Sequence, residues 1–164
     1  MRLLKFSLWI IVLAIMIIIF LLSAQPAEKL DKVSKSVTEA VVNIMPVIKD
    51  KPIKEKQHYV KLLDDYIRKL AHFFLFFLLG LFFMTATSVS MNDKKAKDIL
   101  FLTVLVCFIY AVSDEVHQIF VDGRSFQVLD ILLDLCGSFF GGGMIFLLAV
   151  NTNWIRRDNL GQRN

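Results

Sequence analysis

Four stretches of this chain, at 3–22, 70–90, 99–120 and 128–150, are each apolar and long enough to cross a bilayer as a helix. About 20 residues at 1.5 Å each span the roughly 30 Å hydrocarbon layer. Inside that layer every backbone polar group must find an internal partner. The fold class is therefore all-α, a four-helix transmembrane bundle. Hydrophobic residues make up 56% of the 164 residues, above the roughly 45–50% of soluble domains. Arg2 and Lys5 followed by the first apolar run could be a signal peptide, but the run is long for one, so it reads as a retained span.

Between the first two spans lies a polar, lysine-rich insert, 27–66. Leu30, Val33, Val37, Val41, Ile44 and Ile48 recur at three- and four-residue steps, which predicts one apolar helical face. The segment is too polar to span, so it is expected to be an interfacial amphipathic helix that lies on the membrane surface or packs over the span ends. Pro46 and Pro52, with Lys49-Asp50-Lys51 between them, predict a break before the next helix. Residues 1–150 read as one membrane domain and 151–164 as a polar cytoplasmic tail.

The net charge of +4 does not point to nucleic acid, because the basic residues sit in short segments beside apolar runs. There they set topology: Arg2 and Lys5, then Lys94, Lys95 and Lys97, then Arg156 and Arg157 share one side. The positive-inside rule places both termini in the cytoplasm. Cys107 and Cys136 fall within apolar runs and read as buried, unreactive thiols.

Against this apolar background, ionisable groups mark function. Ser113 to Asp134 concentrates Asp114, Glu115, His117, Gln118, Asp122, Arg124, Asp130 and Asp134. In a four-span arrangement these meet Ser23 and Gln25 from the end of span one and Arg68 and His72 from the start of span two. All then share one level, at the outer face. Lys69 beside them is expected to snorkel to the interface.

Imidazoles and carboxylates exchange protons near neutral pH. Candidate catalytic residues are thus His72, Asp114, Glu115, His117 and Asp130. In that scheme His72 or His117 is the base, oriented by Glu115 or Asp114. Two arginines suit an anionic phosphate, so Arg68 and Arg124, with Ser23, Gln25 and Gln118, are candidate binding residues. Carboxylates and histidines can also hold a divalent cation, though H-x-x-x-H is absent and D-E-x-H-Q is a weak metal signature. The parts fit phosphoryl chemistry on a lipid head group. The alternative is a non-enzymatic protein that binds a lipid or glycopeptide, its charged cluster a salt-bridge network tying the spans together. A proton-coupled transporter fits less well, since polar groups are needed through both membrane halves and here they cluster in one.

Four segments carry a resemblance: S-A-Q-P at 23–26, R-K-L-A-H-F-F-L-F-F-L-L-G at 68–80, S-D-E-V-H-Q-I-F-V-D-G-R at 113–124 and V-L-D-I-L-L-D-L-C-G-S-F-F-G at 128–141. They resemble the VanZ-like membrane proteins over roughly 1–150. The resemblance points to Ser23, Gln25, Arg68, Lys69, His72, Asp114, Glu115, Gln118, Arg124, Asp130 and Gly137. Many members carry Asn where this chain has Asp134, which sets that residue apart from a shared mechanism. The family takes its name from a protein linked to teicoplanin resistance. It is similar in helix layout to membrane-embedded enzymes of lipid head groups and lipid-linked saccharides. The resemblance implies a bacterial plasma membrane and membrane lipids or lipid-linked cell-wall intermediates as partners.

Overall fold

The computed structural model describes residues 2–46, 48, 51–91 and 93–151, the side chains of 27–33, 61, 62 and 65 excepted. The expected tail, with Arg156 and Arg157, lies outside the described residues, as do the side chains of Leu30 and Val33 and residues Lys49 and Asp50. Five helices are described: α1 (Arg2–Ser23), α2 (Ala27–Ile44), α3 (Ile53–Ser90), α4 (Ala96–Gln118) and α5 (Val128–Asn151). No strand occurs among the described residues. Four helical stretches are long and apolar enough to cross a membrane: Arg2–Ser23, Tyr66–Ser90, Ala96–Gln118 and Val128–Asn151. They match the expected spans to within four residues.

The apolar residues sort by helical face. On α1, Leu8, Val12, Ile15 and Ile19 recur at three- and four-residue steps and turn inward. They meet Phe76, Leu79, Phe83 and Ala86 of α3 and Cys107 and Ala111 of α4 in one core. Leu13, Ile17, Phe101, Phe140 and Leu147 instead point outward. So large an apolar exterior is what hydrocarbon solvates and water does not. Trp9 Nε1 donates to Ser90 Oγ at 3.1 Å and Tyr110 Oη to the Met16 carbonyl at 2.6 Å, pinning α1 to its neighbours.

Helix α3 packs against every other helix, and most closely against α5. Glycines set that approach. A Cβ built on Gly80, Gly137 or Gly141 would lie 2.2, 2.3 or 2.0 Å from the carbonyl oxygen of Ser138, Phe73 or Phe77 respectively. Without side chains at these points the two backbones touch, as in small-residue packing of membrane helices. Gly137, which the family resemblance singles out, is here a packing residue.

The insert is shared between two helices. Its first half is α2, and its second half opens α3, which runs unbroken for 38 residues from Ile53 into the span. No proline or glycine interrupts it before Gly80. The break falls where the prolines stand, with Pro52 as N-cap of α3. Helix α2 folds back along the start of α3: Ser34 Oγ donates to the buried Asp64 carboxylate, Thr38 Oγ1 donates to the Ser34 carbonyl at 2.8 Å and lies 3.4 Å from Asp64 Oδ1, and Val42 packs with Ile48 and Val60. The face buried in this hairpin is Thr38 and Val42, whereas Val37, Val41 and Ile44 of the expected apolar face remain exposed. Ion-pair and ring contacts of Lys51 with Glu55 and Tyr59 close the connection.

The thiols also divide. Cys107 is buried as expected, but Cys136 is exposed on the outer side of α5.

Candidate functional site

The polar residues gather at the end of the bundle where α1 and α4 finish and α5 begins. Three layers can be distinguished. The deepest is centred on Asp114. Ser23, fully buried, donates its hydroxyl to Asp114 Oδ2 at 2.7 Å, and Gln118 Nε2 donates to the same oxygen at 3.0 Å. Asp114 and Gln118 are one turn apart on α4 and so share its inner face. Ser23 reaches them because Pro26 ends α1 just beyond, after the turn in which the Ala24 N–H donates to the Phe20 carbonyl. Ser23→Ala should therefore lower the unfolding free energy by about 1–2 kcal/mol, the cost of removing one partner of a buried hydrogen bond. Thermal unfolding in detergent would read it. An unchanged midpoint would mean that Asp114 finds another donor.

The second layer is the α4–α5 connection. Gly123, at φ 75°, takes the left-handed turn position. The returning backbone is anchored when the Gln127 N–H donates to Glu115 Oε2 at 2.8 Å. Glu115 is 1% exposed, so this carboxylate holds the loop from within.

The loop and α3 enclose the third layer, an open cleft of about 140 Å³. It is lined by Arg68, Lys69 and His72 of α3, Gln118 of α4, Gly123, Arg124, Ser125 and Gln127 of the loop, and Asp130 and Leu133 of α5. Lys69, expected at the interface, is among the residues that line the cleft. Arg68, Lys69 and Arg124 bring three cationic side chains to one concavity, against Asp130 as the acidic lining residue. Burial pulls the Arg124 pKa below its ordinary value, and the Arg68 charge adds to this; Asp114, Glu115 and Asp130 oppose both. A guanidinium stays charged throughout the physiological range even so. Such a cation, partly desolvated and beside another, gains most from an anion.

Of the ten site residues expected from the sequence, Arg68, His72, Gln118, Arg124 and Asp130 line this cleft. Ser23, Asp114 and Glu115 form the supports beneath it. Two stand apart. Gln25 is half-buried at the α1–α2 turn and does not line the cleft. His117 stacks on Phe20 of α1, with ring centroids 4.7 Å apart, on the other side of α4. It sits next to Gln118 in sequence, which rotates it about 100° round the helix and away from the cleft. The structure thus leaves His72 as the imidazole of the cleft.

Asp134 is the residue that sequence reasoning set aside and the structure brings in. It is buried one turn below Asp130, with Oδ1 3.8 Å from His72 Nδ1. The i, i+4, i+7 spacing of Asp130, Asp134 and Gly137 on α5 was the available signal. Among the described residues no group of three or more His, Cys, Asp or Glu side chains is placed to hold a metal ion. The cleft offers cationic groups, one imidazole and the Asp130 carboxylate.

The VanZ/LLP1 family model matches residues 8–149, nearly the whole chain. The chain belongs to the VanZ/LLP1 family. Comparison with curated proteins and with solved structures gave no match. The VanZ/LLP1 match covers all four spans, and therefore every helix that contributes to the cleft.

Proposed function

We propose that this VanZ/LLP1 protein binds, and acts on, the phosphate of a lipid head group or lipid-linked cell-wall intermediate at the outer leaflet of a bacterial plasma membrane. Both termini are then cytoplasmic. The observation that carries the reading is the convergence of Arg68, Lys69 and Arg124 on one cleft beside His72. Guanidinium groups pair with phosphate oxygens through two parallel hydrogen bonds, while a lysine acts as a point charge. Residues from α3, from the α4–α5 loop and from α5 meet there, at the ends of the spans, where head groups reside. Arg2, Lys94 and Lys95 mark the opposite end of the bundle, which the positive-inside rule assigns to the cytoplasm.

In this reading the arginines grip the phosphate and His72 moves a proton as general base or acid. Hydrolysis and head-group exchange both use those parts. A contribution to glycopeptide resistance, teicoplanin included, would follow from altered envelope lipids or intermediates.

One observation favours a second reading, a binding protein without catalysis. Asp114 and Glu115 are occupied as structural acceptors, so much of the acidic cluster serves to tie the helices. The deciding experiment incubates the purified protein with a panel of phospholipids and lipid-linked phosphates, with and without divalent cations, and follows products by mass spectrometry. A product that disappears in His72→Ala is expected. Lipid retained equally by both proteins with no product would establish the binding reading instead.

A further inference from the structure

We propose that Asp134 is a positioning residue for His72: it accepts a hydrogen bond from Nδ1–H and so leaves Nε2 as the unprotonated nitrogen of the ring. The catalytic meaning of this pair rests on the lipid-phosphate reading above; its geometry does not.

Asp134 is 1% exposed, and neither of its carboxylate oxygens has a hydrogen-bond partner. Burying a carboxylate with nothing to stabilise it costs several kcal/mol. His72 Nδ1 lies 3.8 Å from Oδ1, and it too is buried without a hydrogen-bond partner. Two atoms that each need a partner therefore lie side by side, about 0.6 Å beyond the 2.7–3.2 Å range of a hydrogen bond.

Both side chains stand at a close contact of the two helices. Gly137, three residues after Asp134, seats α5 against the carbonyl of Phe73, the residue after His72. The pair sits beside a point where the α3 and α5 backbones are in contact. Meanwhile the carboxylates expected to orient His72 are engaged elsewhere, Asp114 by Ser23 and Gln118 and Glu115 by the Gln127 N–H. Asp134 alone among these acids has both oxygens to offer. His72 keeps 19% of its side chain exposed and lines the cleft. A ring fixed through Nδ1 presents its opposite nitrogen toward bound phosphate, as imidazoles held by a carboxylate do in hydrolases.

The tautomer of His72 is a readout that a merely structural Asp134 would not move. The full chain, labelled with ¹⁵N-histidine in lipid nanodiscs, gives three pairs of ring-nitrogen signals, from His58, His72 and His117. His58→Gln and His117→Gln assign them. We expect a protonated Nδ1 on His72 in the wild type and in Asp134→Asn, whose side-chain carbonyl still accepts. Asp134→Ala should shift His72 toward the Nε2–H form. A wild-type His72 protonated at Nε2 alone overturns the proposal, and so does an unchanged tautomer in Asp134→Ala. Should Asp134→Ala not fold, the wild-type spectrum decides by itself. In turnover of a lipid phosphate, Asp134→Ala should lower kcat at least tenfold with KM little changed, and Asp134→Asn should restore most of it. An expected tautomer with no product from any lipid would sink the lipid-phosphate reading and leave the pairing of Asp134 with His72 in place.

Discussion

Gly141→Ala should unfold or severely weaken the bundle, and Gly143→Ala, two residues on, should be close to neutral. The Cβ added at Gly141 would lie 2.0 Å from the Phe77 carbonyl oxygen and 2.9 Å from the Leu81 nitrogen. Both are backbone atoms of a helix, and no rotamer change relieves the overlap. Helix α5 must move away from α3, losing contacts along the closest interface of the bundle. Overpacking typically costs 1–3 kcal/mol, and a clash with rigid backbone belongs at or above the top of that range, so roughly 3 kcal/mol is expected. At Gly143 an added Cβ meets nothing within 4 Å. There alanine's better helix propensity can even add a few tenths of a kcal/mol. Gly142 lies between these cases, since its nearest neighbour is the movable Leu100 side chain at 3.2 Å. Unfolding in detergent, followed by circular dichroism across the three variants, would show the gradient. Equal stability of Gly141→Ala and Gly143→Ala would mean that α3 and α5 do not meet through this face.

The second large effect concerns the cationic lining of the cleft. Removing Arg68 or Arg124 should weaken binding of a phosphomonoester lipid by about 10- to 100-fold each. A charge-assisted hydrogen bond contributes about 1.5–3 kcal/mol, and each 1.4 kcal/mol is tenfold in affinity. Arg124→Lys should recover only part, because an ammonium keeps the charge without the planar pair of donors. Lys69→Ala should cost less than either arginine. Binding to nanodiscs doped with phosphatidate, compared with diacylglycerol, separates phosphate recognition from attraction to the bilayer. Equal binding of all variants to phosphatidate would remove the phosphate from the proposal.

The division between what the sequence revealed and what it hid follows from the physics of each element. The spans were legible because hydrocarbon demands about 20 apolar residues in a row, a requirement no soluble helix imposes. The common level of Ser23, His72, Asp114 and Asp130 followed from the same lengths. The unbroken run of α3 was equally legible, since the prolines predict a break before it and no breaker stands between Ile53 and Gly80. What lay hidden was rotation. Gln118 and His117 are neighbours in sequence, yet one lines the cleft and the other stacks on Phe20. Only the packing of α1 on α4 decides which. Asp134 was obscured differently: a departure from a family pattern argues against a shared role, and says nothing of a carboxylate with an imidazole across the helix interface.

The unbroken course of α3 has a mechanical corollary. Kinks in helices arise at proline, glycine or inserted groups, and none of those residues stands between Ile53 and His72. Nineteen steps of 1.5 Å make that stretch a stiff arm of roughly 28 Å. Arg68, Lys69 and His72 ride on the same arm as the α2–α3 hairpin. A load on the α2–α3 hairpin is therefore carried along one continuous helix to the residues that line the cleft.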